Sequence, residues 1–536
     1  MRYLIFVLLL SAFATSYASD VGDVAFPNSG SQAAQSEFLR GLALLHSFEY
    51  EDAASAFVKA EQIDPGFAMA YWGEAMTFNH PVWMEQDRDA AVVALKKLGA
   101  TPQERAAKAA TQREKDYLQA VEILYGNGEK NQRDFDYADA MRVVHEKYTD
   151  DPEAALFYAL SLLGTAHEGR DFTIYMRAAA ILEVVFHDHP NHPGAAHYLI
   201  HCYDDPVHAP LGLRAAGVYS KIAPAAAHAQ HMISHIYMSL GMWDEVVAAN
   251  EIAVKKANQD DVRRGKPTSG CGHYNEWLLY GYLEQGRLND AKNAVNACRE
   301  TVVARSSTPP KPAMPGMRNP AFYLPSSFVS MWGRYVLDTE DWNGEVARWT
   351  VPMGDSATPA MTRDYIEGLA AAQQNHLDAA RAALERVKKE APIAGKEMVD
   401  AGMPEASFKM VTEIIDNQLN GMILLGEGKS DQAVSMLKEA AKMEEAMPFA
   451  FGPPEIDKPS RELLGEVLLK LKRPKEAYPE FQAALARAPR RTASLFGLAR
   501  SAEQSGNQKA AEDAYAQLRQ IWQHADHPPI QAKNEK

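Results

Sequence analysis

The sequence predicts an all-α fold, a solenoid of stacked helical hairpins in two halves joined by a proline-rich segment. Three observations point there. Small and aromatic residues recur with a period near 34, prolines fall at the ends of these periods, and histidines return at the same offset. Composition agrees: among 536 residues 46% are apolar and 23% charged, the balance of a globular chain and not of a disordered or collagen-like one. With 55 basic against 70 acidic side chains the net charge is −15, which repels phosphate backbones, so nucleic acid is not an expected partner.

Residues 1–18 read as a signal peptide. Arg2 is followed by the apolar run Tyr3 to Leu10, and Ser16-Tyr17-Ala18 precedes Ser19 as a small-x-small exit. The expected location is therefore exported, periplasmic or secreted, with an uncleaved N-terminal anchor as the alternative. No later stretch approaches the roughly 20 apolar residues that spanning requires, so no membrane span is expected.

The repeat is clearest in Gly41, Leu44, Ala53, Phe57, Ala60 and Pro65, with gaps of 3, 9, 4, 3 and 5. The same spacing returns at Gly368, Ala371, Ala380, Leu384, Val387 and Pro392, and at Gly465, Leu468, Ala477, Phe481, Ala484 and Pro489. Shorter copies start at Gly421 and Ala499, and weaker ones surround Val144 and Leu182. A small residue in the first helix (A) lets the second (B) approach, the aromatic of B fills the gap, and the proline is expected to stop B. These residues resemble the tetratricopeptide repeat family. The resemblance implies a right-handed superhelical α-solenoid whose A helices line a concave groove, by default a surface for a protein or peptide partner. His197 to Asn250, and Gly452-Pro453-Pro454 before Leu463-Leu464-Gly465-Glu466, are also similar to exported bacterial tetratricopeptide proteins. That likeness bears on architecture only.

The expected organisation is an N-terminal solenoid over 19–304, a proline-rich linker or loop over 305–325, a C-terminal solenoid over 326–528 and a polar tail over 529–536. Six prolines between Arg305 and Pro325 are read as incompatible with a helix interior. A second break runs from Met447 to Pro459. The C-terminal half reads as scaffold, either a partner groove or a wall closing one end of the first half.

Histidine carries the functional signal, ten of the 17 lying between His167 and His235. With Pro190 and Pro224 as closing prolines, the small positions of two successive A helices fall at Ile200 and Ser234, a phase supported by Tyr203, Tyr237, Gly241 and Trp243. In the repeat family the groove-facing sites lie six and three residues before the small position and one, four and five after it. His197 and His201, and His228, His231 and His235, all occupy such sites. His197 and His231 are 34 apart, as are His201 and His235, which predicts a two-by-two array able to converge on one ion, with His228 as a further ligand.

Further candidates surround the array. His273 lies six residues before Leu279, beside Glu276, and His46 lies five after Gly41. His80 and His167 fall at helix ends of unfixed phase, and His208 follows Asp204 and Asp205 on a turn. Glu168, Asp171, Asp204, Asp205 and Glu276 are candidate carboxylate ligands or acceptors that orient the imidazoles. His187, His189 and His192 bracket Pro190 and are expected to be solvated. Five tryptophans, among them Trp277, are expected in the core.

Three readings stay open for the constellation: a transition-metal site for copper, zinc or iron; a metal-free lining that binds a peptide or its carboxylate; or buried histidines of purely structural use. A metal would permit catalysis on a small-molecule substrate in the groove, at a mononuclear or dinuclear centre. The commoner catalytic motifs are absent, so enzymatic activity is left open, as is the oligomeric state. Cys271 precedes an A helix and Cys298 lies late in its B helix, a hairpin geometry that permits a disulfide. Cys202 is expected to point away from the groove.

Overall fold

The computed structural model describes residues 20–306, 320–400 and 403–526, which puts the signal-peptide segment, most of the proline-rich stretch and the polar tail outside the described residues. The described chain is almost entirely helical. It opens with Gln35–His46 (α1), Tyr50–Ile63 (α2) and Ala68–Met76 (α3), and a two-residue antiparallel pair then joins Asn79–His80 to Glu85–Gln86. Pro152–Leu163 (α4) follows after four intervening helices. Pro193–Tyr203 (α5), Ala209–Ile222 (α6), Ala227–Ser239 (α7) and Trp243–Arg263 (α8) form two successive hairpins. His273–Glu284 (α9) and Leu288–Arg305 (α10) make the next, tied by a disulfide between Cys271 and Cys298. Among the described residues no helix is long and apolar enough to cross a membrane.

Glycine–aromatic contacts explain the hairpins. A Cβ on Gly41 would lie 2.9 Å from the Phe57 ring, and one on Gly73, in the next A helix, closer still, so one B-helix aromatic seats two A helices. Phe481 does the same with Gly465, where the clearance is 2.7 Å, and with Gly497. Gly497→Ala is expected to cost about 1–3 kcal/mol by overpacking, although alanine is the better helix former by about 1 kcal/mol. A lowered urea midpoint at unchanged m-value would show it.

Two proline expectations need correction. Pro325 lies inside Pro320–Thr339 (α11) and Pro392 inside Leu377–Asp400 (α12), so neither ends its helix. Burial of Phe328, Val329, Met331 and Trp332 after the first, and of Val387 and Ala394 around the second, outweighs the roughly 3 kcal/mol that an interior proline costs. The helical part of the supposed linker is correspondingly larger, since Arg305 ends α10 and Pro320 begins α11.

The last four helices, Ser460–Lys470 (α13), Pro474–Arg487 (α14), Thr492–Gln504 (α15) and Gln508–Ile521 (α16), return to the middle of the chain. Leu495, Leu518, Ile521 and Trp522 share a core with Met238, Trp243, Val246, Trp277 and Tyr280. The indole N–H groups of Trp243 and Trp522 donate across this seam to the carbonyls of Arg490 and Glu284, each at 3.0 Å. Beside it Arg491, 1% exposed, binds Glu284 at 3.0 Å, Glu462 at 2.8 Å and Asp338 at 2.5 Å.

Candidate metal centre

Helix α5 begins with Pro193 at its first position and His192 as its cap, whose Nδ1 accepts the Gly194 N–H at 3.2 Å. This start sets His197 and His201 one turn apart on one face. In α7 the same spacing places His231 and His235. Their Nε2 atoms meet in pairs, His197 with His201 at 3.0 Å and His231 with His235 at 3.0 Å.

Each pair gains a third imidazole from the following A helix. Ligating nitrogens of His197, His201 and His228 lie within 4.8 Å of one another, and those of His231, His235 and His273 do likewise. The four-cornered convergence expected from sequence is thus replaced by two triads. Superhelical offset brings the residue six before the next small position, His228 or His273, against the pair of the preceding helix. The triads are neighbours, with His201 and His235 ring centres 6.1 Å apart and those of His228 and His231 also 6.1 Å apart.

The outer nitrogens are committed. His197 Nδ1 donates to the His46 carbonyl at 2.6 Å, and His231 Nδ1 to Asn250 Oδ1 at 2.6 Å. The Asn250 amide is held by its own donation to the Val246 carbonyl at 2.8 Å. His235 Nδ1 donates to Asp204 Oδ2 at 2.5 Å, and Asp204 Oδ1 accepts from Ser239 at 3.1 Å. With Nδ1 of each ring turned to an oxygen acceptor, the Nε2 atoms of His231 and His235 face each other.

Aromatic rings pack against both triads. Phe48 stands 4.3 Å from the His197 ring, and Trp277 stands 4.1 Å from His235 and 4.8 Å from His231. Phe451, from the break between Met447 and Pro459, lies 5.7 Å from His235. The C-terminal half therefore contributes a wall of the centre. Trp277 is buried as expected, yet against imidazoles.

Burial pushes the His197 pKa down to about 3. Burial, reinforced by neighbouring imidazoles, lowers those of His201, His228 and His231 as well. For Asp204 burial acts upward, but His235 and the hydrogen bonds outweigh it and the carboxylate stays ionised. In the metal-free protein the unfolded chain binds protons on these histidines from about pH 6.5 downward, while native His197 resists until about pH 3 and native His201, His228 and His231 take theirs only well below the ordinary range. Native stability is therefore expected to fall as pH drops through that window, by about 1.4 kcal/mol per pH unit for each such imidazole. Thermal melts of the metal-free protein between pH 7 and pH 4 check the sign.

Other sequence candidates fall elsewhere. Asp205 holds the 204–208 turn, accepting from the Val207 and His208 amides at 2.9 and 3.0 Å, and the His208 ring pairs with it at 2.9 Å. Asp171 caps the helix Phe172–Asp188, and Glu168 is exposed. His167 Nε2 pairs with Asp134 at 2.9 Å, while His80 stacks on Tyr50 at 3.8 Å. Glu276 lines clefts beside His273. Cys202 is buried and free, its thiol pKa pushed up by burial.

His46 belongs to a third buried cluster. Its Nε2 meets Glu153 Oε2 at 2.7 Å and its Nδ1 meets the Tyr198 hydroxyl at 2.9 Å, while His192 Nε2 donates to Glu153 Oε1 at 3.1 Å. His192 is therefore buried, contrary to the solvated expectation, because capping α5 turns it inward. Glu153 is held ionised: burial raises its pKa, but His46 and His192 more than reverse this. Every ring nitrogen of this cluster has a partner, so it acts as a brace whose His46 carbonyl orients His197. Sequence reasoning missed Glu153 and Asn250, which have no counterpart at the repeat offset.

Residues 462–526 match the family model described as tetratricopeptide repeat. No curated protein matches the sequence. Similar solved structures include the human IFIT1 dimer with m7Gppp-AAAA (13% identity, 92% of this chain and 90% of that one, TM-score 0.33). The P58(IPK) TPR domain (12%, 89% and 99%, 0.21) and the APC/C hetero-tetramer Cut9-Hcn1 (11%, 94% and 96%, 0.27) are others. Residues 462–526, which span α13–α16, thus carry a tetratricopeptide-repeat match, and the glycine–aromatic hairpins found there recur at the N-terminal end of the same all-α fold.

Proposed function

We propose that the chain is an exported tetratricopeptide-repeat protein that binds transition-metal ions through two histidine triads, His197–His201–His228 and His231–His235–His273. The single observation that carries the reading is the pair of Nε2 atoms 3.0 Å apart on His231 and His235, each ring having its Nδ1 turned to an oxygen acceptor. Two buried ring nitrogens at that distance need either a proton between them or a cation beside them. Clustered neutral imidazoles suit copper, zinc or iron. Asn250 and Asp204 support the second triad as acceptors that fix its tautomers, and the His46 carbonyl does this for His197 in the first.

Protein purified without an affinity tag, reconstituted and desalted, is expected to carry about two equivalents by elemental analysis. Less than a tenth of an equivalent would remove the reading, and would mean that a proton bridges His231 and His235 instead.

A metal-dependent enzyme is the second reading, favoured by two features. Each triad offers three protein ligands, a number that leaves a coordination position open. A cleft of about 440 Å³ adjoins His228 and His273 and has room for a small substrate. Export is supported by the N-terminal segment and by the disulfide between Cys271 and Cys298. A mature chain beginning at Ser19 in the extracytoplasmic fraction is expected.

A further inference from the structure

The cleft beside the triads has a composition of its own. Its walls come from α8, the start of α9 and the segment around Tyr50 and Glu85. Glu85, Asp261 and Glu276 line it, and among the described residues no lysine or arginine does. Glu276 stands in the first turn of α9 and offsets the positive end of that helix dipole. Of the six triad histidines only His228 and His273 line this cleft, one from each triad; the other four are at most 3% exposed. His228 is itself 4% exposed, and its Nε2 is buried without a hydrogen-bond partner. A neighbouring cleft that also reaches His273 carries Arg334 and does not reach His228.

A concave surface of one charge sign with low-dielectric walls concentrates counter-ions and accelerates their capture. Aromatic Tyr50, Trp83 and Tyr274 supply such walls. We infer that this cleft is the entry and staging site through which a hydrated divalent cation reaches both triads, with Glu85 and Asp261 holding it in transit. The inference rests on the metal-binding reading and adds its route. Carboxylates along the path, rather than at its end, govern how fast the ion arrives and leaves and not how many ions are held.

The test is stopped-flow uptake of Cu(II) by metal-free full-length protein, read by quenching of tryptophan fluorescence, since Trp277 abuts His231 and His235. In E85Q/D261N uptake at low ionic strength is expected to slow by about tenfold or more and to lose much of its salt dependence, with the final stoichiometry unchanged. D378N/E385Q, which removes the same charge from exposed sites on α12, is expected to match the wild type. Should the double variant unfold, as judged by helical circular dichroism, D261N alone gives the same readout at smaller amplitude. Wild-type rates in the cleft variants, or equal slowing in the surface control, would overturn the route while leaving metal binding intact. Absence of uptake by the wild type would overturn both.

Discussion

Replacing His197 and His231 together by alanine is expected to abolish metal uptake, taking bound metal from about two equivalents to none. The reasoning is local. Each substitution deletes one member of a pair whose Nε2 atoms lie 3.0 Å apart, leaving two imidazoles where three had converged. Helix content should survive, because alanine is the strongest helix former and both sites lie inside helices. H231A alone should remove one equivalent and leave the first triad loaded. Asn250→Ala, which frees the His231 tautomer without touching a ligand, should weaken the second site by about 10–100-fold and leave the first unchanged. Elemental analysis across the three variants separates these outcomes; full loading of H197A/H231A would show that the ion sits elsewhere.

Arg491→Met is expected to lower stability by about 3–5 kcal/mol, the largest effect of any single substitution considered. Its guanidinium is enclosed by Glu284, Glu462 and Asp338 at 2.5 to 3.0 Å, with the Tyr280 hydroxyl at 3.3 Å. Removing the cation leaves buried carboxylates uncompensated, which costs far more than the original ion pairs contribute. Glu462 relies on it most directly: burial works against its charge, but Arg491, helped by Lys458, brings its pKa down to about 2. Arg491→Lys should not rescue, since one ammonium cannot reproduce a fork serving three partners. The damage should be directional. Glu284 ends α9, which also carries His273 and Trp277, so the second triad should lose affinity before the first. Urea unfolding gives the stability change, and early proteolytic loss of α15 and α16 gives its location.

Fold was legible in the sequence because each hairpin writes its own packing locally. Gly41 with Phe57, and Gly465 with Phe481, are read by spacing alone and meet as that spacing requires. The five groove histidines between His197 and His235 were legible for the same reason, since phase within a helix is fixed by 3.6 residues per turn. Their grouping was not. Whether His228 joins its own helix's pair or the preceding one depends on the stagger between helices, which no single repeat encodes. Local rules also misled where tertiary packing overrode them: Pro325 and Pro392 were read as breakers, and His192 as a turn residue, before burial is considered. Asn250 and Arg491 act across the stack, on partners 19 to 211 residues away, with no periodic signal.

Phe451 stands over His235, and Gly452 packs so closely on Trp277 that a Cβ there would lie 2.6 Å from the indole. A growing polypeptide has all six imidazoles of the triads once residue 273 emerges, yet their roof is nearly 180 residues further on and its fastening at Arg491 later still. On the proposed metal-binding reading, ion loading is a finishing step: nascent or truncated chains would hold open, leaky nests of histidine, and a molecule that has completed its last hairpins would keep what it catches.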